Sequence, residues 1–215
     1  MNLTKHGIID FSAKRYIFKY QPINDYSKLN LRNKKLWASK PSVFNDPFEL
    51  KYKQIGTNPQ NDELHNLIEQ SKHFKVACLT YDPLNILMWS HYANKHTGIC
   101  LGFYDETLTY AVHYTDDFPI IDFDEKIPNK RIMQFHKMLN CKARMWEYEQ
   151  ERRICLVPGT PNELSYPGEL FMVAFGINSQ QKDIEEIKEI INDKNVIYYK
   201  CTMVDGHYLL DFDPA

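Results

Sequence analysis

Between Trp146 and Val157 the chain reads WEYEQERRICLV, with three glutamates and two arginines in the seven residues from Glu147 to Arg153. On a strand, side chains alternate between faces. Glu147, Glu149, Glu151 and Arg153 then share one face, and Tyr148, Gln150 and Arg152 the other. Carboxylates on one face repel each other, which raises at least one pKa unless Arg153 compensates. A pair made unequal in this way suits proton transfer, or stabilisation of positive charge at a sugar carbon. On a helix, Glu149 and Arg153 would instead form an i,i+4 ion pair, with Glu147 facing Glu151. The plainer alternative is a solvated, salt-bridged surface worth less than about 1 kcal/mol per pair.

Three further stretches carry candidate chemistry. In SKPSVFNDPFEL, Asn45 and Asp46 precede Pro47. Their side chains either cap the loop's own backbone or, in Asn45, meet a ligand beside a stacking phenylalanine. In MWSHYANKHTG, Trp89, Ser90, His91 and Tyr92 combine a ring surface, a hydroxyl and a titratable base. His91 and His96 lie five apart with no acid between them, unlike a zinc pair. No GxSxG frames Ser90. In FKYQP, Lys19 and Tyr20 end an early strand, and Lys14, Arg15 and Lys19 are either phosphate ligands or snorkelling surface cations. The five cysteines are scattered singly with no CxxC pair, and neither a dinucleotide-binding GxGxxG nor a phosphate loop occurs.

The elements that must position these residues follow from periodicity and punctuation. Strands are expected in RYIFKYQP, over Leu36–Ser39, and in FKVACLTY, ICLGFY, LTYAVHYTDD, RRICLVPG, ELFMVAFG, NVIYYKCTMV and GHYLLDFD. Helices are expected after a cap at Asn24 or Ser27 and over residues 57–73 behind an asparagine cap. Another begins near Leu84, with Leu84, Leu87, Met88 and Tyr92 on one stripe. A fourth runs from Pro128 through KARMW, and a fifth lies in SQQKDIEEIKEIINDK. Strands outnumber helices and often adjoin directly. The expected fold class is therefore α+β: one domain over 1–215 with mixed or antiparallel sheet and a few flanking helices, not a doubly wound sheet.

A chain of 215 residues with net charge −2 and 13% aromatics fits one soluble core and carries no global field toward nucleic acid or anionic lipid. MNLTKHGIIDF lacks a signal-peptide apolar stretch and no run approaches membrane-spanning length. With unpaired cysteines, a cytoplasmic location without membrane association is expected.

The blocks FKYQP, LWASKPSVFNDPFE, CLTYDPLNILMWSHYANKHTGICLGF, AVHY and WEYEQERRI, in that order, resemble the bacterial domain-of-unknown-function family twenty-nine seventy-one. The resemblance spans residues 16–157, and a strand–helix–strand extension follows over 166–213. It implies that Trp146, Tyr148, Glu149, Glu151 and Arg153 form a family pattern. It also places Gln21 where an arginine is common, which weighs against a phosphate role at that position. A looser resemblance, in size and order of elements, is to mono-ADP-ribosyltransferases. It implies an NAD-consuming enzyme, transferase or glycohydrolase, of the kind bacteria use as toxins or antiviral effectors. NAD would be substrate, with no metal.

In that scheme Glu151 orients the ribose 2′-hydroxyl and Glu149 positions the acceptor or water. Ser39 supports the nicotinamide pocket, Tyr20 or Trp89 stacks the ring, and Lys19 with Arg153 holds phosphate. The partner is a small-molecule nucleotide, and the acceptor, protein or nucleic acid, is left open. Two other readings stand beside it. One is a nuclease whose Asp46, Glu49, Glu149 and Glu151 hold Mg²⁺. The other is a binding module without catalysis. The discriminating expectation is that NDPFE, WSHY and EYEQE meet at one pocket.

Overall fold

A computed structural model describes residues 16–57 and 63–215. In chain order the elements are β1 (Tyr16–Gln21), α1 (Asp25–Arg32), β2 (Lys35–Trp37), β3 (Lys53–Ile55), α2 (Glu63–Ser71) and β4 (Lys75–Thr80). Then come α3 (Ile86–Tyr92), β5 (Ile99–Tyr104), β6 (Tyr110–Ala111), β7 (His113–Thr115), β8 (Ile120–Asp122), α4 (Pro128–Leu139) and β9 (Cys141–Ala143). The chain closes with β10 (Glu151–Leu156), β11 (Glu163–Ser165), β12 (Leu170–Phe175), α5 (Gln181–Ile191), β13 (Ile197–Met203) and β14 (Leu210–Pro214). The fold is α+β with a mixed sheet, as the strand-rich pattern implied.

Eight strands form the main sheet in the order β14-β13-β12-β5-β1-β4-β10-β6. Neighbours run antiparallel except β12 and β13, which are parallel and joined through α5. Alternation along β1 sorts the core onto two faces. Ile17 faces a cluster with Leu101, Ala77, Ile154 and Ile184. Phe18 and Tyr20 face the opposite cluster with Trp89, Cys100 and Met172. A third cluster joins α2 and α4 through Leu64, Ile68, Phe135 and Leu139. The helices form where apolar spacing and caps agree. Asn24 and Ser27 cap α1 reciprocally, each side chain accepting the other's backbone N–H.

Several elements depart from the sequence expectation. The helix from Pro128 stops at Leu139, because Asn140 turns its own amide onto His136 O at 2.9 Å. The following residues then leave as β9, parallel to β7. LTYAVHYTDD breaks at Val112, with β6 pairing β10 and β7 pairing β9. The strand expected over Leu36–Ser39 ends at Trp37, and Ser39 makes a single bridge to Val76. Leu87 points to solvent, leaving Met88 and Trp89 as the buried residues of α3. The expected asparagine cap of α2, and Lys14 and Arg15, lie outside the described residues. Among the described residues no helix is long and apolar enough to cross a membrane.

Candidate functional site

The main sheet opens between two neighbouring strands. Strands β1 and β4 share one register pair, Phe18 with Thr80, and then diverge. Past that point Cys78 O receives no ladder partner from β1. The Lys19 ammonium donates to it instead, at 2.9 Å. Toward its start, β4 pairs on that side with Ser39 through reciprocal backbone bonds of 3.0 and 2.8 Å. The gap between the splayed strands is a cavity of about 310 Å³. Phe18, Tyr20 and Cys78 line its floor, and Met88, His91 and Tyr92 of α3 form one wall. Trp37, Ser39, Val43, Phe44 and Asn45 form the other wall, and Lys142, Glu149 and Glu151 line its acidic end. NDPFE, WSHY and EYEQE therefore meet at one cavity, through Asn45, His91, Tyr92, Glu149 and Glu151.

The acidic stretch is neither the strand nor the helix end expected for it. Arg144–Glu149 form a 3₁₀ turn, Gln150 is left-handed at φ 44°, and β10 starts at Glu151. That turn ends the 3₁₀ segment and aims the carboxylates on either side at one cation. Glu147 stays on the 3₁₀ surface, 63% exposed beside Arg144, and does not share their face. Glu151 and Arg153 do share a face of β10, and both are buried.

Lys142 is the centre of the cluster. Its ammonium donates to Glu149 Oε2 and, at 3.1 Å, to Glu151 Oε2. Tyr92 Oη donates to Glu149 Oε1 at 2.5 Å, and Asn45 Nδ2 donates to Tyr92 Oη at 3.1 Å. Arg153 Nε donates to Glu151 Oε1 at 2.8 Å. Its two other nitrogens donate to both oxygens of Glu49, at 2.6 and 3.0 Å, and Leu139 O takes a further bond at 2.6 Å. The backbone is fixed as well. Glu151 N donates to Tyr114 Oη at 2.7 Å, and Thr80 Oγ1 donates to Glu149 O at 2.6 Å.

These contacts make the two carboxylates unlike. Burial pushes the Glu149 carboxyl above the usual range, and Lys142 and Tyr92 offset that only in part. Burial works against ionisation of Glu151 too, but Arg153 and Lys142 outweigh it and hold this carboxyl below the usual range. Lys142 is raised, because the pull of Glu151 and Glu149 exceeds the desolvation of its ammonium. The ledger is three carboxylates, Glu49, Glu149 and Glu151, against two cations, Lys142 and Arg153. Such an arrangement holds one acid reliably charged and leaves its neighbour as the stronger base.

The other expected site residues divide. Lys19 and Ser39 line the cavity. His91 Nδ1 meets Tyr148 Oη at 3.1 Å at its rim. Tyr20 lines the floor, but its hydroxyl donates to Asp82 O at 2.8 Å and its ring packs edge-on against Trp89. Trp89 is a core residue, 0% exposed and bonded through Nε1 to Pro83 O, so it has no face to offer a ligand. Asp46 accepts from Phe48 N at 2.9 Å, the Asx-turn reading of NDPF. Arg153 is 0% exposed with its donors taken by Glu49, Glu151 and Leu139, which removes it from a phosphate role. Asp46, Glu49, Glu149 and Glu151 do not converge on a void. The last three surround Lys142 and Arg153, and no metal-binding group occurs among the described residues.

Lys142, Tyr114 and Thr80 escaped the sequence reading. Lys142 fell inside a presumed helix. Its only local signal is the position of CKA just after Asn140, a helix-ending residue. No curated protein and no solved structure matches the chain. Residues 88–154, from Met88 in the cavity wall to Ile154 on β10, match the family model described as protein of unknown function, DUF2971, which bears out the family resemblance in the sequence.

Proposed function

We propose that the cavity takes NAD and that the Glu149–Lys142–Glu151 cluster cleaves its N-glycosidic bond to nicotinamide, with water or another acceptor as nucleophile. What carries this reading is the pair of unlike carboxylates sharing one lysine at the end of a partly apolar cavity. Glu151, held ionised, faces the positive charge that develops at the ribose C1′ and accepts from the 2′-hydroxyl. The C1′–N bond breaks and its electron pair leaves with the nicotinamide nitrogen. The acceptor oxygen bonds C1′, and its proton passes to Glu149, whose raised basicity fits that task. Glu149 uses two of about four acceptor positions, so an acceptor can still bind it. Glu151 accepts three bonds from Lys142 and Arg153 and a fourth from the Cys78 thiol, and the substrate hydroxyl displaces that weak thiol donor.

The order early Lys19, then Ser39, then the late Glu149-x-Glu151, which resembles mono-ADP-ribosyltransferases, supports the same reading. Such an activity suits a bacterial toxin or antiviral effector. The nuclease alternative is disfavoured, since the positive charges of Lys142 and Arg153 sit between these carboxylates and repel a divalent cation there. The test is incubation with NAD and chromatographic detection of nicotinamide. The wild type releases it, and Glu151→Gln lowers the rate by at least about 100-fold, the scale of losing one transition-state charge contact. No release from folded wild type, or undiminished release from the variant, refutes the proposal.

A further inference from the structure

Alternate residues of β4 line the cavity floor and divide its length. Thr80 lies at the carboxylate end, paired with Glu151 and bonded to Glu149 O. Cys78 comes next, with the Lys19 ammonium on its carbonyl. Val76 comes last, bridged to Ser39. At about 3.3 Å per residue, Lys19 is anchored about 6.6 Å from the acidic end and as far again from Ser39, and the whole run is about 13 Å. Beyond Ser39 stands Trp37, which lines the same cavity yet is 48% exposed. A half-exposed indole on a cavity wall offers a stacking surface, unlike the enclosed Trp89. Lys19 pairs with no carboxylate among the described residues and keeps two N–H donors.

From this spacing of carboxylates, cation and exposed indole we infer that the cavity carries a second base-binding subsite on Trp37, at the end away from the carboxylates. The reacting ribose lies at Glu149 and Glu151, a phosphate lies on Lys19, and a second base stacks on Trp37. The inference rests on the proposed cleavage for the identity of the first end, and it adds the residue that holds the second base. A mononucleotide ends at its phosphate, near Lys19. A molecule that spans the full length must carry another ring beyond it.

Two measurements test this. The first is calorimetric titration with AMP, which needs no turnover. Wild type binds AMP, Trp37→Ala weakens binding by about ten-fold, the scale of one base–aromatic stack, and Trp37→Phe restores most of it. The second compares nicotinamide release from NAD and from nicotinamide mononucleotide. Trp37→Ala raises KM for NAD by about ten-fold, with kcat and the KM for the mononucleotide within about two-fold. Absence of AMP binding to wild type, equal AMP affinity in folded Trp37→Ala, or an equal KM increase for both substrates overturns the subsite. AMP binding that depends on Trp37, without any nicotinamide release, retains the second-base site and refutes the cleavage alone.

Discussion

Replacing Lys142 with methionine keeps most of the length of the side chain and removes its charge from between Glu149 and Glu151. Both carboxylates are almost fully buried, at 2% and 4% exposure. Glu151 retains Arg153, but Glu149 keeps only the Tyr92 hydroxyl as a side-chain donor. Removing one partner of a buried ion pair costs about 3–5 kcal/mol when the remaining charge cannot escape. Glu149 can escape by taking a proton. Burial already raises its carboxyl above the unfolded value, and loss of Lys142 raises it further. The folded variant then binds more protons than the unfolded chain wherever pH lies between those two values. In that window its stability falls as pH rises, by about 1.4 kcal/mol per pH unit per proton. Urea unfolding of Lys142→Met and wild type at pH 5 and pH 8 measures this. At pH 8 the variant loses about 3 kcal/mol, and at pH 5 the loss shrinks by at least about 1 kcal/mol. An equal loss at both pH values, or one below about 1 kcal/mol at pH 8, contradicts the coupled cluster.

Tyr92→Phe keeps the ring and deletes the donor to Glu149, costing about 1–2 kcal/mol in urea unfolding. Because that bond lowers the Glu149 carboxyl, the rising limb of kcat/KM against pH for nicotinamide release moves to higher pH in this variant. Gly98→Ala puts a Cβ 2.4 Å from Gln21 O and 2.9 Å from Ala93 O, where backbone has no room to yield. It destabilises by about 2 kcal/mol or more, read from the shift in the urea midpoint.

The sheet was legible because its strands are continuous apolar runs broken by Gly and Pro, and local pattern suffices for those. ELFMVAFG and ICLGFY became β12 and β5 with little change, and DIEEIKEII became α5 with Ile184 and Ile187 inward. Elements fixed by partners far along the chain were not legible. CKA is a strand because His113–Thr115 lies beside it, a pairing 28 residues away in sequence that no helical period announces. The glutamates were legible by type and not by setting. WEYEQERR predicts charge, but its surface or buried fate depends on whether Lys142, Glu49 and Leu139 O close over it.

Cavities follow the same logic more severely, because they form where local regularity lapses. Both strands flanking the opening, FKY and ACLT, look like ordinary ladder partners, and only one residue pair joins them. The reason lies in Lys19 and Ser39. A lysine satisfies the carbonyl that a neighbouring strand would have taken, and Ser39 supplies β4 with a backbone partner from another segment. The exposed backbone groups of a split sheet would otherwise destabilise it strongly. The residues that keep the gap open are therefore among those lining it, and a substitution there alters fold and ligand affinity together. Lys19→Met tests both at once. It leaves Cys78 O without its donor, costing about 1–3 kcal/mol in urea unfolding, and it removes the only proposed phosphate contact. Near-wild-type AMP affinity in a folded Lys19→Met protein would leave the lysine as a plug in the sheet and nothing more.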